Sequence, residues 1–216
     1  MHLKRQQVPK SWPSKRKGTK FVVRPNFAPR RGLPILIILK ELLKIVQNRK
    51  EAKKIIHEKK VLLNTKFIRD EKNSALIFDT ITLVPLKKSY ILDLSEGGKF
   101  NLTEIKNEEA DKKISKVTNK KILRGKKTQI NLSDGRNIIS DLKCNTNDSV
   151  IINLKDKKIE RCLPLKEKAK VFVFAGKHSG MRGSIIKLDL EKKMAELEVN
   201  ERKINVLIKQ LMVIEK

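Results

Sequence analysis

Eleven Lys or Arg side chains fall within the first forty residues, and no carboxylate precedes Glu41. They are Lys4, Arg5, Lys10, Lys15, Arg16, Lys17, Lys20, Arg24, Arg30, Arg31 and Lys40. At this density they repel one another, and the partner that matches them is a dense polyanion, above all the phosphate backbone of a nucleic acid. Trp12 sits among them. An aromatic ring in such company stacks on a base or ribose of single-stranded RNA, or anchors the arm on the neighbouring domain. The sequence leaves both open.

Two further groups repeat the chemistry. Arg49, Lys50, Lys53 and Lys54 follow Asn48 at helical spacing. They lie beside a helix N-terminus, whose free N–H groups and positive dipole end favour phosphate; the plainer reading is a solvated basic face. Lys177, His178 and Arg182 lie in the run Gly176 to Gly183, from which they reach RNA unless the loop is purely a structural turn. A nucleotide-binding phosphate loop would need Gly-Lys-Ser/Thr opening a helix. Here His178 follows Lys177 and the flanks read as strands, so that rival is set aside.

Nothing assembles a catalytic set. Cys144 and Cys162 stand eighteen positions apart without a Cys/His spacing suited to zinc, and read as small apolar side chains in a reducing cytosol. His2, His57 and His178 are scattered. We therefore expect no metal, no cofactor, no small-molecule substrate and no enzymatic activity. The apolar run Leu33 to Val46 is interrupted by Lys40, Glu41 and Lys44, too short for a membrane span. It lacks the flanks of a signal peptide, so the chain reads as soluble and not exported.

The 216 residues carry a net charge of +27. Residues 1–40 contribute +11, residues 41–88 +6, residues 89–165 +5 and residues 166–216 +5. Every part is basic, which suits a protein embedded in nucleic acid better than one touching it with a single patch. Lys outnumbers Arg. Because Lys is a point-charge contact for phosphate whereas the Arg fork suits base edges, the bias favours backbone binding over sequence reading.

The elements that must position these side chains follow from patterning. Pro9, Pro13, Pro25, Pro29 and Pro34 block a long helix, so residues 1–31 read as an extended arm, disordered alone and ordered when its charge is matched. Pro34 suits a first helical turn, and Ile35, Leu36, Ile38, Leu39, Leu42, Leu43 and Val46 predict a helix through Val46. Asn48 and Glu51 have capping-box spacing before a second helix, about Arg49 to Glu58, that buries Ala52, Ile55 and Ile56. Strands are expected at Val61 to Leu63, turning through Asn64-Thr65-Lys66 into Phe67-Ile68, and near Asp79 to Val84. From residue 89 the period becomes two, with a strand at Tyr90 to Leu94, a glycine turn and a return through Phe100 and Leu102. A short polar helix is expected over Thr103 to Lys112. Asp134-Gly135 predicts a hairpin between Gln129–Leu132 and Asn137–Ile139; another joins Val150–Leu154 to Ile159–Leu163. The last fifty residues read as short strands around the glycine loop, a small β-barrel.

Three stretches carry family resemblances. The order apolar helix, Asn48-Arg49-Lys50-Glu51-Ala52, Ile55-Ile56, Lys59, then Val61-Leu62-Leu63-Asn64 resembles the S-four-type RNA-binding domain, named after a bacterial ribosomal protein; Lys59 and Thr65 stand where that family favours glycine. Gly176 to Gly183, with Ile185-Ile186 after it, resembles the KOW motif of ribosomal proteins and elongation factors. The string His2-Leu3-Lys4-Arg5, Pro9-Lys10-Ser11-Trp12-Pro13, Arg16-Lys17-Gly18 and Phe21-Val22-Val23-Arg24-Pro25 is similar to the amino terminus of small-subunit ribosomal protein four of the archaeal and eukaryotic type, and Asp134-Gly135-Arg136-Asn137-Ile138 to its central domain. Where that family often has Gly-Pro-His, this chain has Ala28-Pro29-Arg30. The chain stops soon after the KOW region, as in archaeal or reduced members.

The resemblance implies a multi-domain α+β fold. It consists of the basic arm at 1–31, a small helical S-four-type domain at 32–88, a central β-rich domain at 89–165 and a KOW (SH3-like) β-barrel at 166–216. It implies a structural constituent of the small ribosomal subunit in the cytoplasm, with small-subunit ribosomal RNA and neighbouring small-subunit proteins as partners and no membrane. The alternatives are a KOW-containing transcription or translation factor and an accessory domain of an RNA-modifying enzyme.

Overall fold

The computed structural model describes residues 2–200 and 202–215. The described chain is mostly β, with two short α-helices, and divides into two compact units. The first comprises Met1–Ser95 with Lys99–Asp111, the second Glu96–Gly98 with Lys112–Lys216.

In the first unit, β1 (Leu3–Lys4) pairs antiparallel with β2 (Phe21–Val22), and β3 (Gly32–Pro34) with β6 (Ser74–Leu76). A five-stranded antiparallel sheet has the order β5-β4-β7-β8-β9, formed by β4 (Val61–Leu63), β5 (Lys66–Phe67), β7 (Thr80–Leu83), β8 (Lys88–Leu94) and β9 (Phe100–Ile105). The core is built on Leu33, Ile35, Ile38, Leu39, Ala52, Ile81 and Leu92, all fully buried.

The helices are shorter than the apolar pattern predicts. Pro34 flanks α1 (Ile35–Ile37), which widens into a π turn over Ile38–Leu42. Lys44 then takes a left-handed backbone (φ 54°), and the Ile45 N–H reaches six residues back to the Leu39 carbonyl at 3.0 Å, closing the end. Val46 is buried, but from a loop. The second helix, α2 (Arg49–His57), forms as patterned. Asn48 caps it by accepting from the Glu51 N–H at 3.1 Å, while the Glu51 carboxylate accepts from the Gln47 N–H at 2.7 Å and the Asn48 side-chain amide. Ala52 and Ile56, four apart, face the core.

The arm is not simply extended. It closes into the β1–β2 ribbon, and Arg5 inside it donates to the Thr19 and Lys15 carbonyls, each at 2.7 Å, and to Thr19 Oγ1 at 2.8 Å. Side-chain donors brace this turn from within.

The second unit contains two antiparallel sheets. One has the order β12-β11-β10-β13-β14, from β10 (Lys112–Ile122), β11 (Thr128–Leu132), β12 (Asn137–Ile139), β13 (Ser149–Asn153) and β14 (Lys158–Leu163). Its core is Val117, Ile130, Leu132, Cys144, Val150, Ile152 and Ile159, with Cys162 packed against it. The other has the order β18-β17-β16-β15-β19, from β15 (Lys170–Val173), β16 (Arg182–Asp189), β17 (Met194–Val199), β18 (Arg202–Leu207) and β19 (Leu211–Val213). Gly183 is required there, because a Cβ would collide with the Glu198 carbonyl across the β16–β17 pair.

The polar helix expected over Thr103 to Lys112 does not form. Strand β9 runs to Ile105, a single 3-10 turn spans Glu109–Asp111, and β10 begins at Lys112. That strand buries Lys113, Ser115, Lys116 and Val117. Polar residues thus occupy the positions whose burial would otherwise announce a strand. Lys113 is neutralised by the buried Asp134 carboxylate at 2.8 Å, and Lys116 donates to backbone carbonyls that leave its charge in place.

Candidate nucleic-acid interface

In the first unit the arm displays its cations outward. Lys4, Lys10, Lys15, Arg16, Lys17, Lys20, Arg24, Arg30 and Arg31 are all exposed, whereas Arg5 is half-buried and spends its guanidinium on the arm's own backbone. Trp12 departs furthest from a surface role. It is 3% exposed, and its Nε1–H donates to the Pro29 carbonyl at 2.9 Å. A ring enclosed this way offers no face to a base, so Trp12 is the anchor of the arm and not its stacking surface. Two arm aromatics are exposed instead, Phe21 at 46% and Phe27 at 41%, and Phe21 has the His2 ring 5.2 Å away and the Lys20 ammonium 5.7 Å from its centroid.

Helix α2 presents Arg49, Lys50, Lys53 and Lys54 to solvent. Arg49 is shared: its Nε donates to Glu71 Oε1 at 2.9 Å and its Nη2 to the same oxygen, with Lys53 4.0 Å away. Burial alone would raise the Glu71 carboxyl, but the bonds from Arg49 and from backbone outweigh it and hold the group below the usual carboxylate range. Glu71 thereby fixes the direction of Arg49, whose side chain stays 56% exposed.

In the second unit Lys177 and Arg182 are exposed and His178 is half-buried. Gly176 and Gly180 both have φ near 93°, which lets the loop turn back so that Gly180 N donates to Val173 O at 2.7 Å. Arg182 opens β16 with its guanidinium carbon 5.7 Å from the centre of the buried Phe172 ring. A cation held over an aromatic face is steadied by the ring quadrupole.

A basic finger escaped the sequence reading. Strands β10 and β11 run together to Ile122↔Thr128, and Leu123 N donates to Lys127 O at 2.8 Å to close the tip. Lys121, Arg124 and Lys127 are exposed there, and Ile122 is 77% exposed. Lys120 instead donates to the Cys144 carbonyl. The available signal was the acid-free run Lys120, Lys121, Arg124, Lys126, Lys127. Among the described residues no group of three or more His, Cys, Asp or Glu is placed to hold a metal, and no helix is long and apolar enough to cross a membrane.

Residues 86–159 match the model of ribosomal family S4e, and residues 1–29 match the RS4NT (NUC023) domain. Small ribosomal subunit protein eS4 of Methanocella arvoryzae is 36% identical over 197 residues, 90% of this chain and 83% of that protein. The eS4 protein of Nanoarchaeum equitans is 32% identical over 196 residues, 88% of this chain and 84% of that one. The crystal structure of the 30S ribosomal protein S4e from Thermoplasma acidophilum superposes with a TM-score of 0.73 at 24% identity, covering 85% of this chain and 95% of the other, and so shares the fold. Identity at this level over nearly the full length of such relatives settles the family: this chain belongs to ribosomal family S4e.

Proposed function

We infer that the protein is a structural constituent of the small ribosomal subunit, at work in the cytoplasm. Family membership supports this reading, and one observation carries its physics: nine exposed arm cations, Lys4, Lys10, Lys15, Arg16, Lys17, Lys20, Arg24, Arg30 and Arg31, with no acidic residue in the segment to answer them. Its partners are small-subunit ribosomal RNA and neighbouring small-subunit proteins.

The binding mode is electrostatic. Arm cations screen repulsion between RNA helices. Residues 32–88 act as an S-four-type module in which Arg49, Lys50, Lys53 and Lys54 seat a phosphate backbone beside the α2 N-terminus. Residues 89–165 hold adjacent RNA, and residues 166–216 act as a KOW barrel whose Lys177, His178 and Arg182 touch backbone. Phosphate contact gives affinity without sequence reading, which suits a scaffold protein rather than an enzyme.

The test is co-sedimentation. In a lysate resolved on a sucrose gradient at moderate salt, the protein should travel in the small-subunit peak. Its persistent absence from that peak rejects the reading.

A further inference from the structure

We propose that the outer face of the β1–β2 ribbon is a stacking platform for one unpaired RNA base, with the Phe21 ring as the stacking surface and Lys4 and Lys20 as the flanking phosphate contacts. This rests on the ribosomal RNA reading above and assigns it a point of contact.

The register makes the two faces of the ribbon unequal. Leu3 opposes Val22, and that pair turns inward, with Leu3 9% exposed and Val22 half-buried. Lys4 opposes Phe21, and that pair turns outward, with Lys4 exposed and Phe21 46% exposed. A two-stranded ribbon that needed Phe21 only for stability would turn it in beside Leu3. Instead the ring stands on the cationic face, with the tilted His2 ring 5.2 Å away and the Lys20 ammonium over the ring, 5.7 Å from its centroid, where a stacked base would turn the flexible lysine aside toward the adjoining phosphate. An exposed ring on a face that also carries ammonium groups is how proteins hold single-stranded nucleic acid: the ring takes a base face while the ammonium groups take neighbouring phosphates.

Hydrogen bonds within the arm brace the platform. Arg5 N donates to Lys20 O at 3.0 Å, and the Arg5 guanidinium grips Thr19 and Lys15. Gly18 leaves room for that grip, since a Cβ there would press on the guanidinium at 3.1 Å. A ring whose backbone is already fixed loses little entropy on stacking. Trp12 cannot serve, because it is enclosed. Every base has a π face, so the site selects unpaired bases over paired ones and does not select among bases.

The experiment compares the full-length protein with F21L and F21W, using a short single-stranded oligoadenylate and a fully paired RNA duplex of the same length. Leu keeps apolar bulk and removes the planar face. F21L should bind the single strand about tenfold more weakly and the duplex unchanged. F21W should keep single-strand affinity, and its added indole emission should be quenched by oligoadenylate but not by duplex. The proposal is overturned if F21L binds the single strand as well as the parent protein, or if it loses both RNAs equally. If the parent protein binds neither RNA, the ribosomal RNA reading itself fails. Binding of both with no effect of F21L removes the platform alone.

Discussion

The Lys116 ammonium, 3% exposed, donates to the Leu211 carbonyl at 2.9 Å and to the Ile208 carbonyl as well. The Ser149 hydroxyl accepts from Val213 N at 2.8 Å one strand over. These bonds clip β10 and β13 to β19 within the second unit, and they do so with a charge that has no carboxylate partner among the described residues. Burial pushes the Lys116 ammonium down to about 8.

That depression has a pH signature. Below about pH 8 the group is protonated in both folded and unfolded chains, and its contribution is flat. Between about 8 and the ordinary lysine value of 10.5 the unfolded chain holds more protons, so stability rises with pH. The full gain is about 3 kcal/mol. The melting temperature of the second unit, followed across this range, should rise relative to that of K116M, which lacks the titrating group. Parallel curves for the two proteins would show that the ammonium is not desolvated.

Lys59 stands where a helix exit needs a left-handed residue. It has φ 55°, and Lys60 N reaches the Ile55 carbonyl at 3.2 Å to close α2. A side chain in that region costs about 1 kcal/mol or more, which glycine avoids. K59G should therefore stabilise the first unit by about 1 kcal/mol in urea unfolding, although glycine is poor elsewhere in a helix. K59A retains the Cβ and should not. Equal effects of the two substitutions would assign the change to the lost lysine charge instead.

How much could be read from the sequence depended on what each segment buries. Helix α2 was legible because its cap, its apolar spacing and its cations agree. The hairpin at Asp134-Gly135 was legible because a strong turn pair separates two short strands, and the one at 155–158 because a charged turn separates a β-branched apolar run from its return strand. Helix α1 was over-read: Leu43 and Val46 continue the apolar stripe, but the left-handed turn at Lys44 ends the helix, and nothing local announces that a lysine will adopt it. Strand β10 was invisible because it buries Lys113 and Lys116, whose partners Asp134, Ile208 and Leu211 are distant in sequence. At the interface, residue type told cation from anion but not direction. It could not separate Arg5, turned into the arm, from Arg16, turned out, nor an enclosed Trp12 from an exposed Phe21.

Trp12 offers a test of the anchor assignment. W12A removes a large enclosed ring and should destabilise the first unit by about 3 kcal/mol. W12F retains most of the packing and loses the bond to the Pro29 carbonyl, and should cost about 1 kcal/mol. Thermal melts of both variants decide it. A W12A protein as stable as the parent, with weakened RNA binding, would return the ring to the RNA side.

Arg5 and Arg16 separate structural from phosphate-binding cations in one experiment. Each phosphate contact contributes about 0.7 to 0.9 to the slope of log affinity against log salt, so neutralisation of roughly eight phosphates gives a slope near −7. Arg16 is exposed and makes no ion pair among the described residues, so R16Q should flatten the slope by roughly one unit while leaving the melting temperature unchanged. Arg5 holds Thr19 and Lys15 together through three bonds. R5Q should lower the stability of the first unit by about 1 kcal/mol and leave the slope in place, because the cations that meet phosphate are all still present. A slope change in R5Q as large as that in R16Q would mean that the Arg5 guanidinium leaves the arm to bind RNA, and the ribbon would then be held by strand pairing and Leu3 alone.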